Sequence, residues 1–227
     1  MDVKVNYDFK LPDYTGEEEI FNSLTHFIGV IFAVCATIMM VSKAISNNSI
    51  SLALTGLLYG FSMFAVYAVS SIYHGLDPIV NHTLKQKVRI LDHCDIYLLI
   101  IGTYAPIALV KYRMYHPIMA WISFSILTAA CIVGMIVTAK DFMRYKKLSY
   151  ALYFIAGWSV LICIVQLIKV YSIPFMIYFV AGGAAYTLGM IFYAAQDHGH
   201  KYGHTIFHVF ILLGSYLQFI PIYLYSI

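Results

Sequence analysis

Seven long apolar stretches run through the 227-residue chain, and they constrain its fold more than any other feature. A helix needs about 20 apolar residues to cross the ~30 Å hydrocarbon core of a bilayer. Short polar segments separate the stretches, which are residues 22–43, 51–74, 91–110, 117–139, 148–168, 174–195 and 204–226. Their apolar residues are continuous rather than alternating, which favours helices over β-barrel strands. The sequence therefore predicts an all-α membrane protein, a bundle of seven transmembrane helices.

The composition agrees with a protein that is surrounded mostly by lipid. Hydrophobic residues make up 61% of the chain and charged residues 11%, whereas a soluble protein carries about 25% charged residues. The predicted partner of most of the surface is therefore the lipid bilayer. The net charge of +3 is small and no basic run is mixed with aromatic residues, so nothing predicts nucleic-acid binding. We divide the chain into a polar N-terminal segment, residues 1–21, and a seven-helix transmembrane domain, residues 22–227.

The lysine and arginine residues predict the orientation, because these residues are enriched in cytoplasmic segments. Ten of them lie in the N-terminal segment and in the loops after the second, fourth and sixth stretches: Lys4, Lys10, Lys85, Lys87, Arg89, Lys140, Arg144, Lys146, Lys147 and Lys201. Four lie on the opposite side: Lys43, Lys111, Arg113 and Lys169. The N-terminus is therefore predicted to be cytoplasmic, and the odd number of spans places the C-terminus outside.

Several polar residues near the ends of three stretches are candidate functional groups, because ionisable side chains within a membrane are costly. Ser70 and His74 lie one helical turn apart at the end of the second stretch, and Asp92 is near the start of the third. His204 and His208 lie one turn apart at the start of the seventh. Because the second stretch ends on the side where the third and seventh begin, His74, Asp92, His204 and His208 are predicted to lie at one membrane depth, on the cytoplasmic side.

Three imidazoles and one carboxylate at a common depth are typical of a zinc site. Catalytic zinc commonly takes three protein ligands and leaves one position for water, whose pKa the metal lowers to about 7. The alternative is that the histidines are hydrogen-bonded packing residues. Two further residues stay open at this point. His26 could join the site or simply pack against another helix, and Asp95 is the rival of Asp92 as the carboxylate.

Short motifs in four of the stretches form a set that covers nearly the whole chain. The motif residues are Glu18, just before the first stretch, and Asn22, Thr25, His26 and Gly29 within it. The second stretch contributes Ser70 and His74, the third contributes Leu91, Asp92 and His93 followed by residues 96–99 and 102–106, and the seventh contributes His204 and His208. Together they resemble the hemolysin III family, which is related to the progestin and adipoQ receptors and more distantly to alkaline ceramidases. Each motif alone is weak, whereas the set is specific.

The resemblance implies that His74, His204 and His208 hold Zn²⁺, with Asp92 acting on the zinc-bound water and Ser70 in support. The relation to ceramidases implies an integral-membrane hydrolase that acts on an amide or ester of a membrane lipid. By analogy, the location is the bacterial inner membrane, as a multi-pass protein. The alternative is a hemolysin-type pore-forming protein, or a receptor-like regulatory protein, in which zinc is structural. A transporter is disfavoured, because the candidate residues cluster near one surface.

Overall fold

The computed structural model describes residues 9–196 and 200–226, which are almost entirely helical. Within these residues seven helices are long and apolar enough to cross a membrane. They are α1 (Gly16–Ser46), α2 (Ile50–Gly75), α3 (His82–Tyr115), α4 (Pro117–Lys140), α5 (Phe142–Val170), α6 (Ile173–Gln196) and α7 (Gly203–Tyr225). The predicted class, an all-α bundle of seven membrane-spanning helices, is therefore confirmed.

The first helix begins at Gly16, earlier than its apolar stretch, because the preceding residues cap it. The Thr15 hydroxyl accepts a hydrogen bond from the backbone N–H of Glu18, and the Glu18 carboxylate accepts one from the backbone N–H of Thr15 at 2.9 Å. This capping box satisfies two backbone donors. Glu17 and Glu19 place further negative charge near the positive end of the helix dipole. The three consecutive glutamates, residues 17–19, thus lie in the first turn of α1.

The third helix begins at His82 rather than at residue 91, so part of the predicted polar segment is helical. Two basic side chains on this extra length are buried, Lys85 at 1% and Arg89 at 5% exposure. Residues before α1 cover them in part. The Arg89 guanidinium lies over the ring of Phe9, at 5.7 Å, and over that of Phe142, at 5.1 Å. Hydropathy missed these turns because their polar side chains are buried against other parts of the protein.

The packing of the helices brings distant parts of the chain to one end of the bundle. α1 packs against α2 and α7, and α6 packs against α7. On the other side α2 packs against α3, α3 against α4, and α4 against α5. Direct contacts of His74 with Glu19 and His204 place the end of α2 beside the starts of α1 and α7. The candidate site lies at this end.

Gly60 marks a close approach of α2 to α1, because a Cβ added there would lie 1.9 Å from Oγ1 of Thr37. We expect Gly60→Ala to lower the free energy of unfolding by about 1–3 kcal/mol, the usual cost of overpacking. Unfolding of the purified protein in detergent measures the change. Gly157→Ala is the control, because a Cβ there has no neighbour within 4 Å among the described atoms. Equal stability of the two variants would contradict the close packing.

Candidate metal centre

Three histidines meet at this end of the bundle although they are far apart in sequence. His74 lies in the last turn of α2, whereas His204 and His208 lie in the first two turns of α7. Their exposed fractions are 2%, 5% and 1%. The spacing of four residues puts His204 and His208 on one face of α7. The structure thus brings together the three residues for which the sequence predicted metal binding.

The distances within this group suit a shared metal ion. The Nε2 atoms of His74 and His204 are 3.1 Å apart, and one nitrogen from each histidine lies within 4.8 Å of the others. Ligands of a tetrahedral zinc at 2.0–2.1 Å are about 3.3–3.4 Å apart. The ring centroids of His204 and His208 are 4.4 Å apart. The buried group His74, His204 and His208 could therefore hold a metal ion.

Hydrogen bonds fix the orientation of two of the rings. Nδ1 of His208 donates to the backbone carbonyl of Asn22 at 3.1 Å, and Nδ1 of His74 donates to the Glu19 carboxylate at 2.5 Å. With Nδ1 protonated, Nε2 keeps a lone pair, which is the form that binds a metal. Nδ1 of His204 is buried and has no hydrogen-bond partner in the part of the chain that the structure describes.

Asp92 and Ser70 lie in the wall of a cavity of about 190 Å³ that His204 and His208 also line. The rest of the wall is mostly apolar and aromatic. It comes largely from α3, α5, α6 and α7 and includes Ile100, Phe154, Trp158, Tyr186, Met190 and Phe207. The cavity therefore joins a polar end, beside the histidine group, to an apolar interior.

Two residues that the sequence left open have distinct positions. Among the described residues that line this cavity, the carboxylate is Asp92 and not Asp95. His26 does line it, and its ring stacks on that of His208 with centroids 3.6 Å apart. Neither nitrogen of His26 has a hydrogen-bond partner within residues 9–196 and 200–226. His26 is thus part of the site's surroundings.

Residues 9–15, which we call the N-terminal strap, lie across the polar end of the site. The Tyr14 ring lies 5.5 Å from that of His74 and 5.2 Å from that of His204, measured between centroids. Burial raises the pKa of Tyr14 well above its usual value. The strap is anchored at its other end, because Gln86 Nε2 donates to the Phe9 carbonyl at 2.6 Å. The strap therefore covers His74 and His204.

Sequence reasoning missed Glu19, Lys85 and Tyr14 as parts of this site. Helical spacing could have identified Glu19, which shares a face of α1 with Asn22 and His26 at positions i, i+3 and i+7. No sequence pattern marks Lys85 or Tyr14, because each reaches the site through tertiary packing. Glu18, which belongs to the family motif, caps α1 and accepts a hydrogen bond from the Tyr202 backbone at 3.0 Å.

The fold and the site define a class of protein: a seven-helix membrane protein with a buried group of three histidines that could hold a metal ion. Residues 14–219 match the HlyIII family, described as haemolysin-III related. The chain therefore belongs to this family and is a multi-pass integral membrane protein. The family resemblance carried by the motifs is confirmed.

Two bacterial relatives match the chain over most of their length. A protein named Hemolysin-3 from Bacillus cereus is 33% identical over 210 residues, which is 92% of each chain. A protein named Hemolysin-3 homolog from Bacillus subtilis (strain 168) is 29% identical over 217 residues, which is 94% of this chain and 97% of the relative. The similarity thus includes every helix that contributes to the histidine group.

Proposed function

We propose that this protein is an integral-membrane, zinc-dependent hydrolase that cleaves an amide or ester bond of a membrane lipid. One observation carries the proposal. The buried histidine group adjoins an apolar cavity whose wall also holds Asp92 and Ser70. An apolar cavity with a few convergent polar groups is the usual form of a site for a hydrophobic small molecule.

The donor set supports zinc as the ion. Three imidazole nitrogens are a known ligand set of catalytic zinc and leave a fourth position open. His74, His204 and His208 would hold the ion, and none of the free cysteines belongs to the group. Zinc in such a site lowers the pKa of water to about 7 and polarises a carbonyl group.

Asp92 and Ser70 supply the proton transfer and the positioning in this proposal. Asp92 accepts a proton from the attacking water and then returns it to the leaving nitrogen or oxygen. The Ser70 hydroxyl is buried and lies close enough to Asp92 to interact with that carboxylate. In this proposal it donates a hydrogen bond to the carbonyl oxygen as negative charge develops there.

The apolar part of the cavity supports a lipid as the substrate. Phe154 and Trp158 come from α5, and Tyr186 and Met190 come from α6, so an acyl chain would pack against aromatic and aliphatic groups. Because such a chain would come from the bilayer and not from water, close packing in the cavity rather than the hydrophobic effect would favour its binding. The bond to be cleaved would then lie at the polar end, beside Asp92.

The predicted orientation completes the proposal. An N-terminus on the cytoplasmic side places the histidine group at the cytoplasmic end of the bundle, because α1 starts beside it. The basic residues favour this orientation by ten to four. We place the protein in the bacterial cell membrane, where lipid would enter from the bilayer and a polar product would leave toward the cytoplasm.

Metal analysis of the purified protein, combined with hydrolysis of a panel of acyl lipids, tests the proposal. We expect one zinc per chain and release of fatty acid from a ceramide, a phospholipid or a lysophospholipid. Treatment with a chelator should abolish hydrolysis, and added zinc should restore it. Purified, folded protein without stoichiometric zinc would contradict the proposal.

A cytolytic role is the competing outcome of the same test, because the relatives carry the name Hemolysin-3. Red-cell lysis that is equal for zinc-loaded and chelated protein, with no lipid hydrolysed, would favour it. Zinc that is bound but supports only folding would favour the receptor-like alternative.

A further inference from the structure

We propose that Glu19 orients His74 for metal binding, and that Lys85 holds Glu19 in place for this role. The inference rests on the metal site of the proposed function but not on any hydrolytic activity. In it Glu19 is a positioning residue, which acts on the metal through the His74 ring. Carboxylates that accept a hydrogen bond from a metal-binding histidine commonly fix the ring and its tautomer.

The contact between Glu19 and His74 is short and largely buried. Oε2 of Glu19 lies 2.5 Å from Nδ1 of His74, whose side chain is fully buried, while the Glu19 side chain is 16% exposed. The carboxylate can only accept, so Nδ1 carries the proton and donates. Nε2 is then left unprotonated on the side of the ring that faces His204 at 3.1 Å. This one hydrogen bond sets both the tautomer and the direction of the ligand atom.

Lys85 holds the other carboxylate oxygen. Its Nζ lies 2.5 Å from Oε1 of Glu19 and donates to the backbone carbonyl of Leu76 at 2.7 Å. Glu19 is on α1, Leu76 caps α2, and Lys85 is in the first turn of α3, so three helices meet at this ammonium group. The side chain of Lys85 is 2% exposed. A buried cation with these two acceptors both compensates the carboxylate charge and fixes its position.

Glu19 is engaged with His74 and Lys85 rather than placed as a ligand itself. Both of its oxygens have a donor, one on each side. The Nε2 atoms of His74 and His204 face one another on the side of the His74 ring that points away from Glu19. Glu19 therefore belongs to the support of the site.

The neighbouring glutamates provide natural comparisons, because each has a different environment. Glu17 has a 70% exposed side chain and contacts Lys201 at 3.4 Å and the Tyr202 hydroxyl at 3.0 Å. Glu18 belongs to the capping box of α1. Glu17→Gln therefore removes the same charge from the same helical turn without touching the histidine group.

The test measures zinc affinity of the purified full-length protein by competition with a chromophoric chelator. In Glu19→Gln, Lys85 attracts the amide oxygen and turns the NH₂ group toward Nδ1 of His74. That arrangement favours a proton on Nε2, the atom needed by the metal. We expect zinc affinity to fall by about 10–100-fold, the usual effect of losing such a partner. Glu17→Gln should bind zinc as the parent protein does.

Glu19→Asp separates metal positioning from folding. It keeps the negative charge for Lys85 but shortens the reach toward His74, so we expect intact thermal stability of the metal-free protein and a smaller loss of zinc affinity. The absorption of bound Co²⁺ should also change in this variant, because it reports the geometry of the ligands. A folded Glu19→Asp or Glu19→Gln protein with the zinc affinity and Co²⁺ spectrum of Glu17→Gln would overturn the inference.

The outcome is independent of catalysis. Zinc binding that depends on Glu19, in a protein that hydrolyses no lipid, would support this inference and contradict the proposed hydrolase. A parent protein that binds no zinc at all would overturn both.

Discussion

Replacement of His204 with alanine is expected to abolish stoichiometric zinc binding and, with it, lipid hydrolysis. The variant keeps two of the three imidazoles. It removes Nε2 of His204, which lies 3.1 Å from Nε2 of His74. The loss of zinc affinity should exceed the roughly 10–100-fold effect of removing a residue that only hydrogen-bonds to a metal ligand. Metal analysis and the chelator competition measure it, on protein shown to be folded by its elution and helical circular dichroism.

His82→Ala is the matched control for this experiment. His82 is an exposed histidine at the start of α3, so its removal changes the histidine count without touching the buried group. Its zinc content should equal that of the parent protein. A folded His204→Ala protein that keeps one zinc and full hydrolysis would exclude the proposed site. Loss of the fold instead of the activity would favour a structural metal.

Asp92→Asn is expected to lower the rate of lipid hydrolysis by about 10²–10⁴-fold while zinc stays bound, because a positioned general base contributes about that much. The amide keeps the size of the side chain but cannot take a proton from water. Steady-state hydrolysis of the best substrate in the lipid panel measures the rate, and metal analysis checks the zinc. Ser70→Ala should lower the rate without removing zinc.

Asp95→Asn is the comparison that decides between the two carboxylates. Asp95 lies one turn further along α3, and the described wall of the cavity includes Asp92 but not Asp95. The same chemical change at Asp95 should therefore leave most of the hydrolysis. If the larger loss occurred in Asp95→Asn, the role of base would pass to Asp95. If both variants lost zinc, the carboxylates would be part of the metal site's support.

The seven spans and the histidine group could be predicted from the sequence alone, each for its own physical reason. Long apolar runs identify membrane helices because lipid leaves few other structures possible. The agreement in depth among His74, Asp92, His204 and His208 followed from topology, since helices that alternate in direction bring their ends to two common levels. Both steps use local composition and the order of the spans.

The parts that could not be predicted depend on contacts between distant residues. Lys85 and Arg89 were assigned to a polar loop because their charge is evident in the sequence, while the partners that allow their burial are not. Glu19 is one of three consecutive glutamates in the sequence, and its packing with α2 and α3 is what gives it a place in the site. The cavity depends on how α3, α5, α6 and α7 leave space between them, which no single stretch encodes.

The N-terminal strap has a consequence for how the proposed metal site would be loaded. Tyr14 covers the rings of His74 and His204, so an ion arriving from this end meets a phenol ring before it meets a ligand. For an ion that enters at this end, we expect loading and release to require displacement of Tyr14. We therefore expect the loss of metal to a chelator to depend on incubation time.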